Sequence, residues 1–254
     1  MSRLRVSVAT YNRVVFFHPE NGISMLALER KATVSEIGQV SVLAQPFGGG
    51  VRILDPTSLK GILGEIKFDS ERSQQEQDFR ILIPPSKWET VKQYCLIHLE
   101  NPDDSELEST PHRELVEEFE ETFHFRLKPH QYAVQPMGIV IEDKPVQTKN
   151  WYARGQLTVR IYRTFKVQLI DDEVCKAILA ANQKYSDQDL EKIALEDARS
   201  GGRGRANAVL ALPLDSVKAA YLSIPPEKAY RKFVVGNHSL DESVSVVLSN
   251  VSVV

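Results

Sequence analysis

The densest grouping of residues able to do chemistry is His112-Arg-Glu-Leu-Val-Glu-Glu-Phe-Glu-Glu-Thr-Phe123. At about 100° per residue, a helix over this stretch has two faces. Leu115, Val116, Phe119 and Phe123 fall on one, and Glu114, Glu117, Glu118 and Glu121 on the other. The segment reads as a core-docked helix with a concentrated carboxylate face. Carboxylates three and four residues apart repel one another. A hard cation such as Mg²⁺ or Mn²⁺ turns that repulsion into coordination, because it takes oxygen ligands and keeps waters that can be activated. Spacing alone leaves the alternative open that the face is simply solvated. Thr110 is the expected cap and Pro111 the expected first helical residue, with Arg113 placed to neutralise one acid.

Other residues bear on ligand binding. The run Gln45-Pro-Phe-Gly-Gly-Gly50 follows an apolar strand, and its glycines suit a sharp exit loop, a phosphate-facing loop or a plain turn. Over 156–169, Leu157, Val159, Ile161, Phe165, Val167 and Leu169 share one strand face, and the same alternation puts Arg163 among them. A charge there must be paired. Arg163 therefore reaches the acidic cluster or a ligand phosphate, unless a bulge at Tyr162 turns it to solvent. Arg203 and Arg205, in a glycine-rich loop, either contact phosphates or sit on a mobile surface connection. Trp151 and Tyr152, beside Arg154, either stack on a base or fill core space. Cys95 and His98 lack a third partner that would make a nucleophilic pair.

The elements that must position these residues follow from periodicity and turn signals. Strands are predicted over 5–9, 12–17, 23–28, 39–44, 79–83, 133–141, 156–169 and 208–212, with a turn near Lys144-Pro145. Besides 112–123, helices are predicted over 186–199, capped by Ser186, and over 215–221; 88–99 suits a helix or a strand. The patternless stretch 55–80, almost wholly polar over 69–78, reads as an exposed, mobile insertion. The near-alternation of Val and Ser over 243–254 reads as a terminal strand whose free edge favours homodimerisation.

Composition sets the bounds. The 254 residues are 42% hydrophobic and 26% charged, and 31 Lys and Arg against 34 Asp and Glu give a net charge of −3. That excludes a nucleic-acid binder relying on bulk positive charge. Two isolated cysteines offer neither a disulfide framework nor a metal pair, so a reducing, cytoplasmic compartment is expected. Arg3 and Arg5 alternate with Val6 and Val8, a pattern expected to carry no secretory leader. No apolar stretch approaches the ~18 residues of a membrane span, and no internal repeat is present.

Four segments resemble the Nudix family of hydrolases. Arg113-Glu-Leu-Val-Glu-Glu118 resembles the R-E-U-x-E-E core of the Nudix box, in which U is a bulky aliphatic residue. Glu106-Leu-Glu-Ser-Thr-Pro-His112 is similar to the box's acidic approach to its helix, and Pro46-Phe-Gly-Gly-Gly-Val-Arg52 to the glycine turn that opens it. Ala208-Val-Leu-Ala-Leu-Pro-Leu-Asp215 is similar to a late strand-then-Pro-Leu-Asp signature. The resemblance implies an α+β fold, a Nudix-like α/β/α sandwich with a mixed β-sheet, as a single domain over 1–254. It implies insertions at about 54–104 and 171–205 and a C-terminal extension at about 226–254.

The resemblance also implies attack of a metal-activated water on a phosphorus of a nucleoside diphosphate linked to another group. Glu117 and Glu118 would be the principal ligands of Mg²⁺ or Mn²⁺, Glu114 a third ligand or the base, and Arg113 would orient a glutamate. Arg52, Arg163, Arg154 and Trp151 would bind a nucleotide-type small molecule. Glu142, Asp143 and Glu196 are the choices for a later acid. About thirty residues follow Pro225, too few for a winged-helix module, so no dedicated nucleic-acid-binding domain is expected. The sequence departs from the family pattern in three ways. About fifty extra residues separate Gly50 from Arg113. Ser105 stands where the upstream glutamate belongs, with Glu106 and Glu108 as shifted substitutes. Glu120 replaces the helix-ending glycine, so the helix should run about another turn. These departures leave open a catalytically inactive Nudix-fold protein that binds a nucleotide or a protein partner in a regulatory role.

Overall fold

The alternation Val6, Val8 and then Val14, Phe16 along the first strand supplies two apolar stretches on one face, separated by the buried polar Thr10 and Asn12, and the rest of the chain is arranged around them. A computed structural model describes residues 3–35, 37–101, 103–148, 153, 155–182, 184–225 and 232–249. The first half runs β1 (Leu4–Phe17), β2 (Ser24–Val34), β3 (Val40–Gln45), β4 (Phe47–Gly50), β5 (Arg52–Ile53), α1 (Thr57–Leu63), α2 (Glu71–Glu76), β6 (Arg80–Ile83) and α3 (Trp88–Glu100). There follow β7 (Leu107–Glu108), α4 (His112–Phe123), β8 (Tyr132–Gln147), β9 (Leu157–Leu169), α5 (Asp172–Asn182) and α6 (Asp187–Arg199). The end comprises β10 (Arg205–Pro213), α7 (Leu214–Leu222), β11 (Phe233–Val235), β12 (His238–Leu240) and α8 (Glu242–Leu248).

The fold is mixed α and β around a mixed ten-stranded sheet with the path β11-β12-β3-β2-β1-β9-β8. Strand β1 pairs in parallel with β9 from Arg5↔Thr158 to Val15↔Gln168. Its other edge takes three antiparallel partners in succession: β6 against residues 4–7, β4 against 9–12 and β2 against 14–17. Strand β10 lies on the far side of β2. A separate two-residue ladder joins β5 to β7 through Arg52↔Glu108 and Ile53↔Leu107.

One face of β1 and β9 carries two apolar clusters end to end. Val6, Val8, Val159 and Ile161 pack with Val91, Cys95 and Leu99 of α3 and with Ile81 and Ile83. Val14, Phe16, Val167 and Leu169 pack with Leu115 and Phe119 of α4, Phe47, and Val174 and Ile178 of α5. Elsewhere Leu26 and Leu28 of β2 pack with Val217 of α7 and Val244 of α8, and α6 covers Ala32 through Leu190 and Ala194.

Several expectations are corrected. The glycine run after Pro46 is a paired strand, β4, and not an exit loop. Segment 55–80 is ordered: it forms α1 and α2, buries Leu59 and Phe79, and delivers β6 to the main sheet. Its polar residues are held by ion pairs and caps, which hydrophobic periodicity does not register. The turn at Lys144-Pro145 is a register shift within β8, between Glu142 and Val146. The terminal strand is instead α8, capped by Asp241, whose side chain accepts from the Ser243 N–H. Val244, Val246 and Val247 are buried in it, so this valine-rich segment presents no strand edge for dimerisation; 250–254 lie outside the described residues. Strand β2 continues to Val34, beyond the predicted end at Leu28. Among the described residues no helix is long and apolar enough to cross a membrane.

Candidate functional site

Helix α4 forms where the two-faced pattern places it, with Leu115 and Phe119 fully buried. It begins at His112 with Pro111 at the cap position and no side-chain cap, so Thr110 does not serve. It runs past Glu120 to Phe123 and ends on His124, which takes the left-handed conformation at φ 54°. Phe47 of β4 meets Phe119 and Phe123 at ring-centroid distances of 4.8 and 6.4 Å, seating the helix beside the glycine strand.

That contact sets the geometry of the acids. The Gly48 N–H donates to Glu118 Oε2. A Cβ on Gly49 would lie 2.0 Å from Glu114 Oε2, so the carboxylate of Glu114 rests where a side chain would otherwise stand. Arg113 binds Glu108 at 2.7 Å, Glu114 at 2.5 Å and Glu117 at 3.1 Å. Of the two shifted substitutes for the upstream glutamate, Glu108 is the one that meets Arg113. Glu106 instead accepts hydrogen bonds from Tyr94 Oη and Ser58 Oγ.

The electrostatics follow from burial. Desolvation pushes the Glu118 carboxyl well above the ordinary glutamate range, and the charge of Glu29 pushes it further. Desolvation also raises Glu114, against the opposing pull of Arg113. Burial alone would depress the Arg113 guanidinium, but Glu114, Glu108 and Glu117 together carry it above its usual value. Among the described residues no three His, Cys, Asp or Glu side chains are gathered as a metal site; Arg113 stands among Glu108, Glu114 and Glu117.

The acidic face opens on a cleft of about 1620 Å³. Arg52, Arg113, Glu114, Glu117 and Glu118 all line it. So do Arg203 and Arg205, whose loop is pinned where Asp197 Oδ2 accepts from the Gly204 and Arg205 N–H groups. Segment 69–80 forms one wall, anchored by the buried Arg5–Asp69 pair at 2.7 Å. Of the later acids, Glu142 and Asp143 line the cleft, whereas Glu196 is exposed on α6 and does not. Trp151, Tyr152 and Arg154 lie outside the described residues.

Arg163 is a correction. The unbroken pairing of β9 with β1 keeps the period-two alternation through Tyr162, and no bulge occurs there. Arg160 and Tyr162 therefore face the cleft, and Arg163 faces the opposite side. There its guanidinium lies over the Phe165 ring at 5.0 Å, and its Nε has no hydrogen-bond partner among the described residues. It neither reaches the acidic cluster nor turns to solvent, being 8% exposed.

Four site residues escape sequence reading. Arg160, held by Glu142 at 3.0 Å, lies on the strand face that periodicity assigns to solvent. Tyr11 and Tyr162 stack at 5.4 Å and also line the cleft. Glu29 is fully buried in β2, where the charged triplet Glu29-Arg30-Lys31 reads as the end of a strand. Its Oε2 accepts from Gln45 Nε2 at 2.8 Å and Lys31 Nζ at 3.2 Å, while its Oε1 has no partner among the described residues. Cys95 is buried, and desolvation drives its thiol far from ionisation, which removes it as a nucleophile.

Comparison of the chain with family models, curated proteins and solved structures found no match.

Proposed function

We propose that the chain is a cytoplasmic Nudix-type protein that hydrolyses a nucleoside diphosphate linked to another group. The observation that carries this reading is the packing of β4 along the acidic face of α4. Gly48 and Arg113 are far apart in sequence, yet Gly48 and Gly49 meet Glu118 and Glu114 directly. A glycine strand is needed there because a side chain at Gly49 would displace the carboxylate. Glu29, Glu108, Glu114, Glu117 and Glu118 outnumber the cations Arg113 and Lys31 that touch them, an excess of negative charge that favours a divalent cation, although no three acids are gathered around one point among the described residues.

Glu117 and Glu118 would hold Mg²⁺ or Mn²⁺, with Glu114 as third ligand or as the acceptor of a proton from the attacking water. Bound there, such an ion supplies neutralisation of the diphosphate charge and a water of lowered pKa. Arg113 fixes Glu108, Glu114 and Glu117 relative to β4. Arg52, Arg160, Arg203 and Arg205 present guanidinium groups to phosphates, and Tyr11 and Tyr162 present ring surface on the same cleft. The cleft exceeds the few hundred to about 1,000 Å³ of a typical small-molecule pocket, leaving room for both halves of a diphosphate-linked substrate.

The test is incubation with Mg²⁺ or Mn²⁺ and a panel of ADP-ribose, NADH, nucleotide sugars, dinucleoside polyphosphates and nucleoside triphosphates. The double variant Glu117→Gln/Glu118→Gln runs alongside. Turnover by wild type and its loss in the variant is the expected result. Binding without turnover, unaffected by the substitutions, would instead favour a regulatory binder. The multiple engagement of Arg113 with Glu108, Glu114 and Glu117 is the feature that would suit that second reading.

A further inference from the structure

Arg163 places a positive charge on the core face of β9, where it forms no ion pair among the described residues. Its neighbours on that face are polar too. Thr10 of β1 is its cross-strand partner, and Asn12 is the partner of Phe165, the ring over which the Arg163 guanidinium lies. All three side chains are more than nine-tenths buried, and they separate the apolar cluster under α3 from the one under α4. Four of their atoms are buried with no hydrogen-bond partner among the described residues: Thr10 Oγ1, Asn12 Nδ2, Asn12 Oδ1 and Arg163 Nε. Neighbouring strands lie about 4.8 Å apart and alternate residues of one strand about 6.6 Å apart, so one small ion is within reach of all three. Burial pushes the Arg163 guanidinium below its usual value, with the charge of Glu100 opposing.

The first turn of α4 lies above these residues. His112 Nδ1 meets Tyr132 Oη of β8 at 2.8 Å, and Arg113 Nη2 donates to the Gly50 carbonyl of β4 at 3.5 Å. Strands β1 and β9 run between β4 and β8, so the start of the helix bridges over Thr10 and Arg163. No side chain caps that start, and its N–H groups carry partial positive charge. A buried cation, two neutral donors and a helix N-terminus create a field of one sign, and a negative ion balances it.

We infer that the core face of β1 and β9 holds a compact inorganic anion, bound by Arg163 Nε, Asn12 Nδ2 and the Thr10 hydroxyl beneath the start of α4. The site lies on the opposite side of β1 and β9 from the cleft and does not depend on the function proposed for it. Its closure against solvent restricts it to an ion of few atoms: chloride, bicarbonate or phosphate. Asn12 Oδ1, the one acceptor, separates these, because bicarbonate and hydrogenphosphate bring a hydroxyl to donate to it and chloride does not. Bound there, the ion braces the helix whose Arg113 and Glu114 seat on β4.

The experiment uses the full chain in sodium gluconate, whose anion is too large to enter, with sodium chloride, bicarbonate or phosphate exchanged in at constant ionic strength and pH. Calorimetric titration gives the affinity, and the thermal midpoint reports stability. For wild type, a rise in midpoint of about 5 °C or more is expected at a hundredfold excess of anion over Kd. A response to bicarbonate or phosphate alone identifies a hydrogen oxyanion, and a response to chloride as well identifies a site that selects charge and size. Arg163→Met is expected to keep or raise the midpoint in gluconate and to lose the response. Thr10→Val, of the same shape without the donor, is expected to weaken affinity by about tenfold. Arg160→Met, on the cleft face, is expected to leave the response intact. No rise in wild type overturns the inference, and so does a rise of equal size in Arg163→Met, which would place the anion on the cleft arginines or the outer surface. Should Arg163→Met fail to fold, an affinity in Thr10→Val within about twofold of wild type overturns it equally.

Discussion

The three consecutive glycines of β4 should respond to alanine in three different ways, because each added methyl meets a different obstacle. At Gly49 the new Cβ would lie 2.0 Å from Glu114 Oε2 and 2.5 Å from its Cδ. The obstacle is the end of a flexible side chain, which must retreat by more than about 1 Å to regain ordinary contact. Folding stability should change by less than about 1 kcal/mol, since the backbone is extended and alanine lowers the entropy of the unfolded chain. The carboxylate, however, loses its seat on β4. A displacement of about 1 Å in a positioned group can cost about 10²-fold in rate, so Gly49→Ala should fold and lose roughly that much turnover. Gly48 is the contrast: its φ is 148°, and a Cβ would stand 2.0 Å from the Thr10 carbonyl oxygen and 3.0 Å from its carbon. Backbone cannot step aside, so Gly48→Ala should destabilise by about 2–6 kcal/mol, combining strain with overpacking. At Gly50 the obstacle is the Asp78 carboxylate at 2.7 Å and not Glu114 itself, so turnover should fall less than in Gly49→Ala. Urea unfolding and steady-state hydrolysis of the three variants decide the matter. Full activity in Gly49→Ala would refute the claim that the packing of Glu114 on β4 positions a functional carboxylate.

Three further perturbations probe the frame around the site. Arg5→Met leaves Asp69 buried without its counter-charge and should cost about 3–5 kcal/mol by urea unfolding; a loss under about 1 kcal/mol would mean the pair is effectively solvated. Phe119→Ala removes a fully buried ring between α4 and β4 and should cost about 3–5 kcal/mol; a near-neutral result would show that α4 is not docked through this face. Arg160→Met should weaken nucleoside diphosphate binding by about tenfold, while Arg163→Met should leave it unchanged and be neutral or stabilising, as replacement of a poorly paired buried charge often is. Calorimetric titration of both variants with ADP checks this, and the opposite ranking would reverse the assignment of strand faces.

Much of the architecture was legible because its signals are local. The two-faced pattern of α4, the Ser186 cap of α6 and the alternation in β9 each depend on residues within a turn or a few positions of one another. The site was legible in its acidic half for the same reason. What escaped depends on partners distant in sequence. Glu29 and Arg30 read as a strand end because the distant groups that hold them, the Gln45 amide for one and the Asp187 carboxylate for the other, come together only in the fold. Arg160 and Tyr162 sit on the polar side of β9, which looks like a solvated face until β8, α8 and segment 69–80 enclose it. Arg163 was misassigned for the complementary reason. Alternation correctly placed it facing inward, but the inward face of that strand is the core beneath α3 and α4 and not the cleft.

The enclosing wall has a further consequence for how a ligand enters. Segment 54–106 leaves and rejoins the chain at the β5–β7 ladder, the arrangement of a flap on a hinge. Yet β6 within it pairs with residues 4–7 of the central strand, and Asp69 is tied to Arg5 of that strand. Moving the wall away would therefore break a sheet ladder and strip a buried ion pair at once, a cost of several kcal/mol. A lid that opens at each turnover must reside at the low-stability end of a fold, and this segment does not. The cleft is thus preformed, with its basic residues fixed relative to the α4 glutamates before ligand arrives. Affinity then depends on charge placement more than on closure, and amide hydrogen exchange at 80–83 should be as slow as in β1 itself, with or without nucleotide. Fast exchange there, slowed by ligand, would show that the wall opens.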